Sequence, residues 1–246
     1  TMVIDESADI EVAAKNTRIS KTSDFGSGCS ADGNIFIQSS IYKQMVKALV
    51  NEGGYLCNEQ QKIMLEKAMW DETGNRTFQT IACPPQKLAE IAGFNVPENC
   101  KFLMVENQGK IGSQHKFSKE KLTTLMALYH FDVFDEALDM VREVYETGGK
   151  GHSCGIYSHE KVNIDALAKV APVSRMMVRQ SQSKSNAGSF NNGMPMTSSL
   201  GCGIWGGNIT NENVTLKHLM NFTWVSVPIK EDRPSEEELF GEFFNT

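Results

Sequence analysis

Lys101-Phe102-Leu103-Met104-Val105, Leu125-Met126-Ala127-Leu128-Tyr129, Cys154-Gly155-Ile156-Tyr157 and Met176-Met177-Val178 are short apolar runs, and the helix-length segments Val133 to Tyr145 and Ile164 to Val170 lie between them. Strands that alternate with helices in this way decide the fold. They predict an α/β protein whose mostly parallel sheet is flanked by helices.

The pattern extends upstream. Pro84-Pro85-Gln86-Lys87-Leu88-Ala89-Glu90-Ile91-Ala92-Gly93 carries proline at a helix start and glycine just past its end. Asn34-Ile35-Phe36-Ile37-Gln38 reads as a strand, and Ile41 to Val50 puts Ile41, Met45, Ala48 and Leu49 on one helical face, closed by Gly53-Gly54. A further helix is expected from about Glu59 to Trp70. Met2-Val3-Ile4 resembles the end of a buried strand, and the acidic and capping residues after it suit a helix N-terminus. Downstream, the Ser-, Asn- and Gly-rich segment Ser181 to Asn213 is too long to be an idle loop in a compact domain. Phe222 to Ile229 alternates as a strand does, and an acidic tail follows at Pro234 to Gly241.

With 40% hydrophobic and 22% charged residues, 246 residues suffice for a sizeable core. A net charge of -6 with no Lys/Arg cluster argues against nucleic acid or an anionic membrane as partner. No run approaches the ~20 apolar residues of a spanning helix, and Thr1 to Glu6 lacks a signal-peptide layout, so a cytoplasmic location is expected. Six scattered cysteines without a CxxC pair favour reduced thiols over disulfides, and no metal site is expected.

Three residues could carry chemistry. Cys29 sits in Asp24-Phe25-Gly26-Ser27-Gly28-Cys29-Ser30-Ala31-Asp32-Gly33, where small neighbours leave room for a carbonyl and for backbone N–H donors to an oxyanion. The competing reading is a small buried hydrophobe, the commoner fate of a lone cysteine. His152, in the turn Gly148-Gly149-Lys150-Gly151-His152, suits a base for a thiol, and equally a residue that only caps the turn. Glu120 could accept ribose hydroxyls, although an exposed glutamate is ordinarily just solvated. The glycine run Gly201 to Gly207 fits neither GxGxxG nor the Walker pattern.

In order along the chain, Val3-Ile4-Asp5-Glu6-Ser7-Ala8-Asp9-Ile10, the Ser20-Lys21-Thr22-Ser23-Asp24-Phe25-Gly26 lead into Cys29, Lys87 to Asn99, Glu120-Lys121-Leu122, Gly151-His152-Ser153 and Leu200 to Asn208 resemble the CoA-acylating branch of the aldehyde dehydrogenase superfamily. The resemblance implies an aldehyde dehydrogenase catalytic domain over residues 1–220, with a C-terminal oligomerisation strand and tail over 221–246. It implies Cys29 as the acylated nucleophile, His152 as the histidine of the acylation chemistry, and Glu120 at the nicotinamide ribose. NAD or NADP would be the cofactor and coenzyme A the co-substrate, with a homodimer or homotetramer as the assembly. Gly188 to Pro195 and Arg233 to Gly241 look most like the branch's sulfoacetaldehyde enzymes, with those for succinate semialdehyde close behind, so a small anionic aldehyde is the expected substrate. Arg179, Lys184 and Asn192 are candidates to meet its anionic end. The family's NAD(P)-binding half precedes the point where this chain starts, and the chain alone is expected to be inactive. The rival readings are an acylating dehydrogenase for acetaldehyde or succinate semialdehyde, a Cys–His hydrolase, and a non-catalytic assembly domain built on the 222–229 strand.

Overall fold

Seven short strands pair side by side, each parallel to its neighbours, as the alternation of elements predicts. They are β1 (Met2–Ile4), β2 (Asn34–Gln38), β3 (Gly54–Leu56), β4 (Phe102–Glu106), β5 (Leu125–Phe131), β6 (Cys154–Tyr157) and β7 (Met176–Val178), in the order β3-β4-β5-β2-β1-β6-β7. This computed structural model describes residues 1–108 and 111–243. Its residues form two compact units, Thr1–Thr215 and Leu216–Thr246.

Burial on both faces explains why the strands are apolar at nearly every position. Side chains alternate across a strand, so Val3, Phe36, Leu103, Tyr129 and Ile156 build a core on one face while Met2, Ile4, Ile35, Ile37 and Leu128 build the other. Fully burying each such side chain contributes about 1.5–3 kcal/mol. A one-residue slip of β2 would therefore exchange Phe36 with Ile35 and Ile37 and mismatch both cores.

Helices α1 (Ile10–Thr22) and α2 (Tyr42–Asn51) put Ala13, Ala14, Met45 and Leu49 into the second core. Helices α3 (Glu59–Met69), α4 (Pro85–Ala92), α5 (Phe134–Gly148) and α6 (Lys161–Val170) supply the first with Leu65, Leu88, Val141 and Leu167. Local signals set their ends. Asp9 Oδ1 caps α1 through the Val12 N–H at 3.1 Å, Asn58 and Gln61 form a reciprocal capping box on α3, and Gly93 closes α4 in the left-handed region.

Two expectations change. Gly53 follows α2 at φ +97°, but Gly54 opens β3: a Cβ there would come 2.6 Å from the Phe102 ring and 2.8 Å from Leu49 O. The Ser181–Asn213 segment also begins with a single turn, α7 (Gln182–Ser185).

Described by itself, the second unit shows no paired strand among its described residues. Residues 222–229 are exposed and, among the described residues, join no ladder, because alternation alone does not make a strand without a neighbour to satisfy its N–H and C=O groups. Among its described residues the unit carries a short α-helix, α8 (Glu236–Phe240), capped by Ser235 and Glu238. Among the described residues no helix is long and apolar enough to cross a membrane.

Candidate active site

Thr1, before β1, and the loops that precede β2, β5 and β6 lie at the strands' N-terminal edge, and there they enclose a cleft of about 230 Å³. Since α1 and α5 run antiparallel to the strands, their C-terminal ends face the same edge. Aligned peptide dipoles make that end of a helix partially negative.

Cys29 reaches the cleft from a loop of unusual backbone. Asp24 and Phe25, at φ 49° and 50°, are consecutive non-glycine residues in the left-handed region, and Leu122 across the cleft is at φ 50°. Such conformations each cost about 1–3 kcal/mol and cluster at functional sites. Gly26 must be glycine, since a side chain there would collide with the Thr123 carbonyl. The resulting turn leaves Cys29 exposed, whereas Cys57, Cys83, Cys100 and Cys154 are buried.

His152 arrives from the turn between α5 and β6, and its Nε2 lies 2.9 Å from Cys29 Sγ. Its Nδ1 lies 2.8 Å from Ser153 Oγ. Burial, then the nearby Arg175 charge, pushes the imidazole down to about 4. Burial also pushes the Cys29 thiol up, aided by Glu120 and Cys202, while the backbone N–H groups of Cys29 and Ser30 oppose the rise. Both shifts favour the uncharged forms. At neutral pH the pair is a thiol beside an imidazole able to take its proton.

Glu120 stands exposed in the cleft wall and has no hydrogen bond or ion pair among the described residues. The structure therefore brings Cys29, His152 and Glu120 into one cleft. It also brings in residues that the sequence left without a role. Lys21 and Lys121 line the wall. Both stand in stretches that carry the family resemblance, Ser20-Lys21-Thr22 and Glu120-Lys121-Leu122, but nothing in their spacing marks a buried lysine.

The glycine run at 201–207 acts as a prop for the histidine turn. Gly151, at φ +106°, packs so closely that a Cβ would come 2.6 Å from both Cys202 O and Gly206 N. Behind it, buried Arg175 donates from Nε to Asn213 Oδ1 at 2.8 Å and from Nη1 to Gly201 O at 2.8 Å. The half-buried thiol of Cys202 is thereby held near Cys29.

Arg179 and Asn192, expected at the substrate, do not line this cleft. Arg179 follows β7 and donates to Ser158 O at 2.6 Å, at the opposite, C-terminal edge of the sheet. The length of β6, about 13 Å at ~3.3 Å per residue, separates that edge from His152. Asn192 organises its own loop, accepting from the Ser189 and Met194 N–H groups and donating to Ser185 O. Lys184 is exposed on α7 and also lies off the cleft. Among the described residues no group of three His, Cys, Asp or Glu side chains could hold a metal ion.

The chain is similar to known proteins over nearly its whole length. A sulfoacetaldehyde dehydrogenase from Acholeplasma sp is 38% identical over 245 residues, covering 98% of this chain and 50% of that protein. A succinate-semialdehyde dehydrogenase (acetylating) from Clostridium kluyveri is 30% identical over 241 residues, covering 98% of this chain and 53% of its own. The crystal structure of an acetylating aldehyde dehydrogenase from Geobacillus thermoglucosidasius matches with a TM-score of 0.89 at 31% identity, covering 95% of this chain and 51% of that one. No family model matches the chain.

Proposed function

We infer function from one premise: the chain belongs to the acylating aldehyde dehydrogenase family, and it spans about half the length of the relatives it matches. On that premise, the Cys29 cleft oxidises a short anionic aldehyde of the sulfoacetaldehyde type to its acyl-CoA, through a thioester on Cys29. The 2.9 Å approach of His152 Nε2 to Cys29 Sγ within an open cleft carries this reading.

As the sulfur bonds to the aldehyde carbon, neutral His152 takes the thiol proton and later releases it to solvent. The Cys29 and Ser30 N–H groups, which already face the sulfur, are placed to hold charge that develops there. A nicotinamide cofactor, when bound, supplies the hydride acceptor whose use leaves a thioester on Cys29. Glu120 fits the ribose of such a cofactor, since its carboxylate is exposed and unengaged among the described residues. In the last step the CoA thiol attacks the thioester carbonyl, and His152 passes the thiol proton to the departing Cys29 sulfur. The acyl group leaves on CoA and the resting thiol is restored.

The last step run backwards tests the reading without any nicotinamide. Purified chain incubated with sulfoacetyl-CoA is expected to gain one acyl group at Cys29 by peptide mass spectrometry. Cys29→Ala should lose the adduct and His152→Ala should slow its formation about 10²-fold or more. Ready alkylation of Cys29 without any acyl transfer would defeat the proposal. Release of free acid at the same rate would instead favour a Cys–His hydrolase. In this reading the exposed 222–229 segment pairs with a second subunit.

A further inference from the structure

Two buried lysines border the Cys29 cleft, and among the described residues neither has a carboxylate within ion-pairing distance. Lys21 and Lys121 are each 1% exposed, yet both line its wall. Lys121 Nζ donates to Asn34 Oδ1 at 2.8 Å and to Lys119 O at 3.1 Å, so two of its three protons go to neutral acceptors. Among the described residues Lys21 Nζ makes no hydrogen bond, and neither lysine has an ion-pair partner.

The surroundings deepen the imbalance. Arg76 adds a third positive charge that acts on both lysines, while its own guanidinium is spent on the carbonyls of Met69, Thr80 and Lys121. Exposed Glu120 and buried Asp32 are the acids that act on the group. Burial pushes the Asp32 carboxyl up toward its neutral form, and one of its oxygens already accepts from Gln182. Burial first, and then neighbouring positive charge, drives Lys121 well below the usual lysine range; burial takes Lys21 down to about 8. Buried cations are ordinarily paired because desolvation is costly. Both lysines border the cleft with no anion in ion-pairing reach among the described residues, so an anion entering the cleft would favour their charged forms.

We propose that Lys21 and Lys121 form an anion subsite beside Cys29, and that it receives the sulfonate or carboxylate of a short aldehyde while the sulfur meets its carbonyl. This assignment rests on the dehydrogenase reading above for the identity of the ligand, and it replaces Arg179 and Asn192 as the residues that select an anionic substrate. Chain length favours the aldehyde over a phosphate as the source of the anion. In a two-carbon sulfonate the charged group is one carbon from the reacting carbonyl, so both fit within one cleft of about 230 Å³. The phosphates of CoA are separated from its thiol by the whole pantetheine arm.

The test is protection of Cys29 from iodoacetamide, read as the ratio of alkylation rates with and without added anion within each protein, so that a change in intrinsic rate cancels. The probes are 2-hydroxyethanesulfonate, inorganic phosphate and the neutral analogue ethylene glycol, at constant ionic strength. Wild type is expected to be protected by the sulfonate and not by the glycol. Lys21→Met and Lys121→Met should each weaken protection about tenfold or more, as loss of a charge-assisted bond implies. Equal or better protection by phosphate would transfer the subsite to a phosphorylated co-substrate. Absence of protection by either anion in wild type, or protection undiminished in both variants, overturns the proposal. The wild-type comparison of sulfonate with glycol decides even if a variant does not fold. Acyl transfer from sulfoacetyl-CoA without anion protection would sink the subsite and leave the dehydrogenase reading intact; protection without acyl transfer would do the reverse.

Discussion

Cys29 Sγ and His152 Nε2 stand 2.9 Å apart, 123 residues apart in the chain, and burial pushes each toward its uncharged form. A cysteine activated in advance has the opposite signature, a thiol pKa lowered by a neighbouring cation. Here the histidine is a proton acceptor in waiting.

Alkylation of Cys29 should therefore follow a raised thiol pKa. Its rate with iodoacetamide should keep climbing through the ordinary thiol value of 9.0, with no acid plateau between pH 5 and 7, and at pH 7 it should be slower than that of a free cysteine. Timed mass spectrometry across pH measures this. A plateau near neutrality would mean that a thiolate–imidazolium pair forms after all.

His152 should also leave a mark on stability. Its pKa falls from 6.5 to about 4 on folding, so the unfolded chain binds the proton more readily. Stability from this group is present above about pH 6.5 and is lost as pH falls toward 4. Urea midpoints measured across that window should decline in wild type, and His152→Gln should remove that part of the decline.

Gly151→Ala combines a positive φ of +106° with contacts of 2.6 Å to two backbone atoms of the 201–207 run. The substitution should cost about 2–4 kcal/mol. Denaturant unfolding measures the cost, and Cys202 should label faster with a thiol reagent once the run is displaced. An unchanged midpoint would show that the two loops pack less tightly than these distances imply.

Arg175→Met removes the donors to Asn213 Oδ1 and Gly201 O from a buried position. A loss of about 2–4 kcal/mol is expected, because the acceptors remain buried and unsatisfied. Amide exchange at Gly201 and Gly203 should quicken more than exchange in β1 or β2. Uniform acceleration throughout the sheet would argue instead for global destabilisation.

The sheet was legible because its strands are apolar on both faces and the helices between them carry their own caps. β3 escaped because three residues that begin with glycine leave almost no pattern, and Gly54 is set by a contact with Phe102 that only the folded chain reveals. Cys29, His152 and Glu120 could be named from loop chemistry and family resemblance together. That Arg179 lies off the cleft has a topological reason the sequence does not show: a cation that follows a strand looks the same in sequence whichever edge of the sheet it occupies. Lys21 and Lys121 could not be found from composition, since what distinguishes them is burial without a counter-ion. The alternation of 222–229 is visible as a pattern, but among the described residues it forms no ladder.

The cleft opens where α1 and α5 present their carbonyl ends, so the helices lend the sulfur no positive potential. Peroxides attack cysteine as thiolate, and a sulfur that stays protonated at rest is a poor target even when it is open to water. The direction in which the strands run thus leaves an exposed thiol without the helix potential that would ready it for oxidation.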